Sequence, residues 1–329
     1  MQAAKPSFRI GLPLLLFVIL LSGLLSAASP TAMPSSKDLL SAGRVDDAIQ
    51  ILERQVGQST ADAESYNLLC RAYFMLEQWD RGIAACERAR NLDPQKSLFH
   101  LWLGRIYGEK ADRAGFFSAA GLVKKVRTSF ERAVELDPRN WEARSDLAEF
   151  YLEAPGIVGG GKDKAQAQAD AITPLNPAAA RWVAARIAAK AHDTAAAERE
   201  YRAAIAADQS LGRAWVDLAA FLLRNNRPDD MEEVLTNLES VPVKQREALR
   251  DGASVLLRAG RNYPLAVRLL RSYLSSPVEE APAFKAHDML GQLLEKQGDR
   301  KAAAEEYQSA LALAHGYARA KEDLHRVEH

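Results

Sequence analysis

The sequence predicts an all-α fold, a right-handed superhelical solenoid of antiparallel helix pairs. Three observations predict it. A 34-residue pattern of bulky and small side chains runs from residue 63 to residue 96 and recurs in phase along the chain. Alanine-rich helical periodicity dominates the sequence. β-Branched runs of period two, which a sheet would need, are missing.

Counting from Ala63, Tyr66 is fourth, Leu69 seventh, the small Cys70 eighth and Tyr73 eleventh. Gly82 is twentieth, Cys86 twenty-fourth, Ala89 twenty-seventh and Pro94 thirty-second. Small residues at these places let the two helices of a pair approach closely, and the Trp, Tyr and Leu places fill grooves between neighbouring pairs. The next unit offers Leu103-Gly104, Tyr107, Phe130, Ala133 and Pro138. Trp141 opens another with Leu147-Ala148, Tyr151, Ala165, Ile172 and Pro177. A weaker unit spans 178–209, with Tyr201 and Ala204 in its second helix; Gly212 opens a clearer one with Trp215, Leu218-Ala219 and Leu222. Residues 244–277 read as a degenerate pair, and Phe284 opens the last good unit with Leu290-Gly291, Leu294, Ala303, Tyr307 and Ala310. A short partial unit precedes them all, holding Ala48 and Leu52. Tyr317 to Val327, with Arg319, Lys321, Glu322 and Asp323, reads as the polar helix that closes the stack.

This register resembles the tetratricopeptide repeat, whose helix pairs stack into a superhelix. The resemblance implies a binding scaffold and no catalysis. Residues 107–172, with G-F-F-S-A-A-G-L-V-K-K-V and A-P-G-I-V-G-G-G-K-D-K-A, further resemble a set of exported bacterial repeat proteins of unassigned activity.

Ahead of the solenoid, expected over 37–329, lies a segment of another kind. Lys5 and Arg9 give residues 1–28 a positive start, residues 10–25 are apolar, and Ser26-Ala27-Ala28 supplies small residues for cleavage. That order reads as a secretory signal peptide, followed by a Pro/Ser/Thr-rich flexible leader over 29–36. The apolar stretch is short of the roughly 20 residues of a membrane span, and Pro13 interrupts it. The alternative is an uncleaved anchor that tethers an assembly subunit to the inner membrane. Export predicts a periplasmic or secreted protein, with no membrane insertion once the segment is removed.

The whole chain carries 43 basic and 43 acidic residues; without Lys5 and Arg9 it keeps 41 and 43. That near-neutrality disfavours nucleic acid or an anionic membrane as partner, since both select a concentrated basic face. The expected partner is another protein or peptide.

Two cysteines exist, Cys70 and Cys86, almost symmetric about the turn near Gln78 and Trp79. Antiparallel helices bring them to a similar height, where they either form a disulfide in an oxidising compartment or serve as two small buried packing residues.

Successive prolines lie 44 residues apart from Pro94 to Pro138 and 39 apart from Pro138 to Pro177, against a period of 34. The excess predicts insertions at 111–123 and 154–162, both in turns between the two helices of a repeat and both on one edge of the solenoid. The first contains Phe116 and Phe117, two adjacent aromatics that need burial or a partner. The second carries Ile157 and Val158 and, in Gly156, Gly161 and Lys162, part of a phosphate-loop pattern. A helix precedes this loop where a nucleotide fold needs a strand, and Asp163 stands where the metal-binding hydroxyl belongs. Nucleotide binding is therefore the minor alternative, and Asp163 with Gln166 is expected to cap the next helix.

Six histidines are scattered along the chain, and no H-E-x-x-H, G-x-S-x-G or cysteine–metal spacing appears. No enzyme activity, cofactor or metal is expected. The inner face of such a stack is lined from the first helix of each repeat, near its second, fifth, ninth and twelfth places. Those places give Asn67, Arg71, Phe74, Leu101, Arg105, Ser145, Glu149, Trp182 and Arg186. Arg71 and Arg105 stand 34 residues apart and could together receive a partner carboxylate. The complete Lys and Asn clamp of the chaperone-binding members of the family is not found. These features combine into an exported interaction scaffold of the cell envelope.

Overall fold

The computed structural model describes residues 34–58, 62–113, 116–275, 277 and 282–329. The expected signal segment therefore lies outside the described residues. Among the described residues there are seventeen α-helices, one 3-10 turn and no strand.

The helices form eight consecutive antiparallel pairs and a closing helix. The first two pairs are α1 (Ser36–Ser41) with α2 (Val45–Val56), and α3 (Ala63–Met75) with α4 (Trp79–Leu92). Next come α5 (Ser97–Arg113) with α6 (Phe116–Leu136), and α7 (Trp141–Glu153) with α8 (Lys162–Ile172). Then follow α9 (Pro177–Lys190) with α10 (Thr194–Ala207), and α11 (Gly212–Arg224) with α12 (Pro228–Glu239). The last pairs are α13 (Glu247–Ala259) with α14 (Tyr263–Leu274), and α15 (Ala283–Lys296) with α16 (Arg300–Leu313); α17 (Ala318–Glu328) closes the array.

Local signals set these boundaries. Asp62, Asn140, Asn176, Asp193 and Asp299 each cap a first turn through a side-chain oxygen, and Pro177 and Pro228 occupy first-turn places where no amide donor is lost. Between the helices of a pair the chain turns through a left-handed residue, and these recur at the repeat spacing as Gly43 and Glu77, then His192, Asn226 and Gly260.

One core runs through the whole stack, from Leu39 and Leu40 to Val327. In two units the glycine at the eighth place receives an aromatic ring from the second helix. A Cβ on Gly104 would stand 2.4 Å from Phe130 Cε1, and one on Gly291 would stand 2.5 Å from Tyr307 Cε1. The tyrosine three places later ties neighbouring repeats. Tyr73 donates to Glu53 at 2.6 Å, Tyr107 to Glu87, and Tyr151 to Glu131 at 3.0 Å, always a carboxylate twenty residues earlier on the preceding repeat. Each pair thus leans on its neighbour, as a one-dimensional stack requires.

Two expectations about the insertions are corrected. Residues 111–113 and 116–123 are helical where a lengthened turn is expected: they extend α5 to seventeen residues and α6 to twenty-one. An apolar face continues through Leu122, Val126 and Phe130 and outweighs the roughly 1 kcal/mol that a helical glycine costs at Gly121. Phe116 and Phe117 open α6, and their side chains lie outside the described residues. Residues 154–161 do form a loop, wound into a 3-10 turn over Gly156–Val158, while Lys162 already opens α8, and Asp163 and Gln166 do not cap that helix. Gly161 occupies the cap place without a side-chain bond, and Gln166 donates to Asp170 at 2.9 Å instead. Asp229 and Asp230 sit in the first turn of α12, with Arg261 2.6 Å from Asp229 and Arg227 2.5 Å from Asp230.

The array curls until its ends meet. A Cβ on Gly43 would collide with Ala283 Cβ at 2.5 Å. Lys285 reaches Glu77, and the backbone N–H of His315 donates to Asp46 at 2.7 Å while its ring contacts the same carboxylate. The first repeats of the array are thereby fastened to its last.

Near this seam, α15 buries Asp288, 2 % exposed, with one carboxylate oxygen unpartnered. Burial pushes its carboxyl up to about 6, against the pull of Arg319, and the Asp323 charge adds to the rise. Below about pH 4 both folded and unfolded chains hold this proton; between there and about pH 6 only the folded chain does, so stability falls as pH rises through that window. At neutral pH the cost approaches roughly 3 kcal/mol, at about 1.4 kcal/mol for each tenfold change in proton affinity. Asp288→Asn is therefore expected to raise the urea midpoint at about pH 7 and to leave it unchanged at about pH 4. A variant less stable than the natural chain at both values would contradict this account.

A groove on the concave face

The first helices of six successive repeats, α3 to α13, line a concave groove of about 880 Å³. Four sequence-predicted residues come together there: Arg105, Glu149, Trp182 and Arg186, with Phe74 at one end. Both insertions reach its rim, through Ala111, Asp112 and Val123 and through Ala154 and Pro155.

Other predicted residues do not enter it. Asn67, Leu101 and Ser145 are buried, at 0, 1 and 0 % exposure, and cannot meet a partner. Leu101 turns into the core, and Ser145 donates its hydroxyl to the Trp141 carbonyl at 2.9 Å. Arg71 is buried as well; its guanidinium lies 5.3 Å over the Trp102 ring, and that of Arg105 lies 5.1 Å over the same ring. The two arginines do not form a shared carboxylate receptor, because one is sunk beneath the tryptophan and the other turns to Asp146 at 2.7 Å.

The centre of the groove is an ion-pair network between repeats. Arg186 lies 2.8 Å from Glu149 and 3.1 Å from Asp217, and the Trp182 indole donates to Asp217 at 2.9 Å. Arg213 stacks on Trp182, 4.9 Å from the ring centre. Desolvation holds the Glu149 carboxyl above its usual range despite Arg186, and the Asp146 charge adds to that rise. The same neighbouring carboxylates hold Arg186 above its usual range against desolvation.

The lining is only half legible in the sequence. Glu142, Asp146, Glu149 and Glu153 follow one another at spacings of four, three and four, a single face of α7. That stripe is readable, yet counting places within the repeat selects only Glu149. Glu109 and Asp112 join from α5, Asp217 from α11, and Glu247 and Asp251 from α13. The groove thus carries nine carboxylates against three guanidinium groups, Arg105, Arg186 and Arg213.

The glycine loop is a separate feature. Ile157 is 95 % exposed, Val158 is half-buried and Lys162 is exposed on one side of the loop. The amides of Gly159, Gly160 and Gly161 donate to the carbonyls of Gly156, Pro155 and Tyr151 at 3.0, 3.2 and 2.8 Å. Arg127 and Lys164 donate to the Val158 and Gly159 carbonyls at 3.3 and 2.8 Å. A phosphate cradle needs backbone N–H groups aimed outward, and these three are already committed.

Between α3 and α4 the sulfurs of Cys70 and Cys86 are joined, with Cα atoms 5.1 Å apart and both side chains fully buried. No group of three metal-type side chains exists among the described residues, and none of their helices is long and apolar enough to cross a membrane.

Stacked helix pairs around a concave groove define an all-α solenoid of the kind that presents surfaces to other proteins. Residues 39–106 and 284–314 match tetratricopeptide repeat models, so this chain carries tetratricopeptide repeats in those two stretches. Its fold is shared with yeast Tom70, at TM-score 0.51 and 15 % identity, over 92 % of this chain and 65 % of that one. A thermophilic TPR protein of Thermus thermophilus aligns at TM-score 0.48 and 19 % identity over 57 % of this chain and 95 % of its own. A tetratricopeptide repeat protein of Parabacteroides merdae aligns at TM-score 0.41 and 14 % identity over 89 % and 96 %. No curated protein matches this chain in sequence.

Proposed function

We propose that this chain is an exported protein–protein interaction scaffold that serves cell-envelope assembly or maintenance and holds a segment of its partner in the concave groove. The groove itself carries the reading: a hollow of about 880 Å³, walled by six repeats and lined by Trp182, Phe150 and Val216 among others, is the extended concave surface that stacked repeats offer to a partner. Export is supported by the charge and apolar pattern of residues 1–28 and by a disulfide of a kind that persists in oxidising compartments.

A photo-crosslinking side chain at Val216 is expected to capture a specific partner in living cells, while one at exposed Leu92, outside the groove, captures none. Equal yields from the two positions would remove the groove from consideration. Sequencing the N-terminus of the mature chain is expected to start at or near Ser29; a retained residue 1 would replace export with the tethered alternative.

A further inference from the structure

We infer that the groove takes an extended, lysine- or arginine-bearing segment of a partner protein. The inference rests on the scaffold reading above and names its occupant. Three observations support it.

The first is charge. A chain with 43 basic and 43 acidic residues overall has gathered nine carboxylates and three guanidinium groups on one concave surface. The second is how that charge is balanced. The three cations are already used: Arg105 by Asp146, Arg186 by Glu149 and Asp217, and Arg213 on the rings of Trp182 and Trp141. Glu109, Glu153 and Asp251 hold Arg113, Lys190 and Arg250. Asp112, Glu142 and Glu247 have no cation within ion-pair distance among the described residues. They stand on α5, α7 and α13, so their unbalanced charge is spread along the groove instead of forming one metal-like cluster. The third is the lining between them. Gln245, just before α13, holds a buried Oε1 with no donor. The aromatic faces of Phe74 and Phe150 lie in the same surface, where a lysine or arginine stem can rest while its head reaches a carboxylate.

A partner carboxylate would meet a negative field here, and an uncharged segment would leave the three acids unanswered. A basic segment with intervening apolar residues satisfies both the carboxylates and the apolar floor.

Fluorescence anisotropy with the purified chain tests this, using a labelled peptide that alternates lysine and leucine and a second that alternates glutamate and leucine. The lysine peptide is expected to bind and the glutamate peptide to fail. Affinity should fall by roughly tenfold or more in an Asp112→Asn, Glu142→Gln, Glu247→Gln variant, and again when salt is raised, because partly exposed charges are screened. If the triple variant loses its helical circular dichroism, the comparison of the two peptides and the salt series on the natural chain still decide. Tighter binding of the glutamate peptide, or salt-independent binding of the lysine peptide, would overturn the inference. So would binding of free spermidine with no binding of either peptide. Identifying the segment captured from Val216 separates this inference from the reading beneath it. A captured segment rich in acids leaves the scaffold standing and refutes its basic occupant, whereas no capture at all refutes the scaffold.

Discussion

Phe284→Ala is expected to cost about 3–5 kcal/mol, the range for emptying a fully buried aromatic site. Phe284 is 0 % exposed, and its ring meets Tyr317 edge-on with centroids 4.8 Å apart. Its neighbours in sequence form the seam: Ala283 abuts Gly43, and Lys285 reaches Glu77. The cavity should therefore loosen both ends of the array together. Hydrogen exchange is expected to accelerate in α1, α2 and α17 while α7 to α10 keep their protection. A denaturation midpoint that barely moves would contradict the packing described. Acceleration confined to α15 and α16 would show that the seam adds nothing to cohesion.

Reducing the Cys70–Cys86 bond should cost about 3 kcal/mol, the loop-closure value for a separation of 16 residues. The bond joins the two helices of one repeat, α3 and α4, which also pack against α2 and α5 of the neighbouring repeats. Guanidinium denaturation with and without reductant measures the effect. A Cys70→Ala, Cys86→Ala variant should behave like the reduced chain and ignore the reductant. Equal midpoints for the oxidised and reduced natural chain would show that neighbouring repeats alone hold α3 against α4.

The fold is largely legible in the sequence because its information is local. Leu103-Gly104 followed by Phe130, and Leu290-Gly291 followed by Tyr307, announce a small residue and the ring that fills its hollow, inside one repeat. The groove is less legible because its geometry is collective. Glu142 to Glu153 already form a stripe in the sequence, but its meeting with Asp217 and Glu247 depends on how much the stack curves. Residue 101 shows the limit of assigning faces by register: the place that should line the inner surface holds a leucine, and the core takes it. Gly115 and Gly121 suggest a loop because glycine weakens helices, yet the apolar positions on either side of Gly121 keep α6 going.

The contact of Gly43 with Ala283 and of Asp46 with His315 has a consequence for how such a gene can change. An open solenoid tolerates duplication or deletion of a unit, since the copy stacks on the end. Here a ninth pair would be driven into the first, and a lost pair would leave a gap that no side chain spans. Recombination between repeats, the usual route by which these arrays grow and shrink, should be selected against, and length variation should be confined to places such as 154–162 that leave the circumference alone.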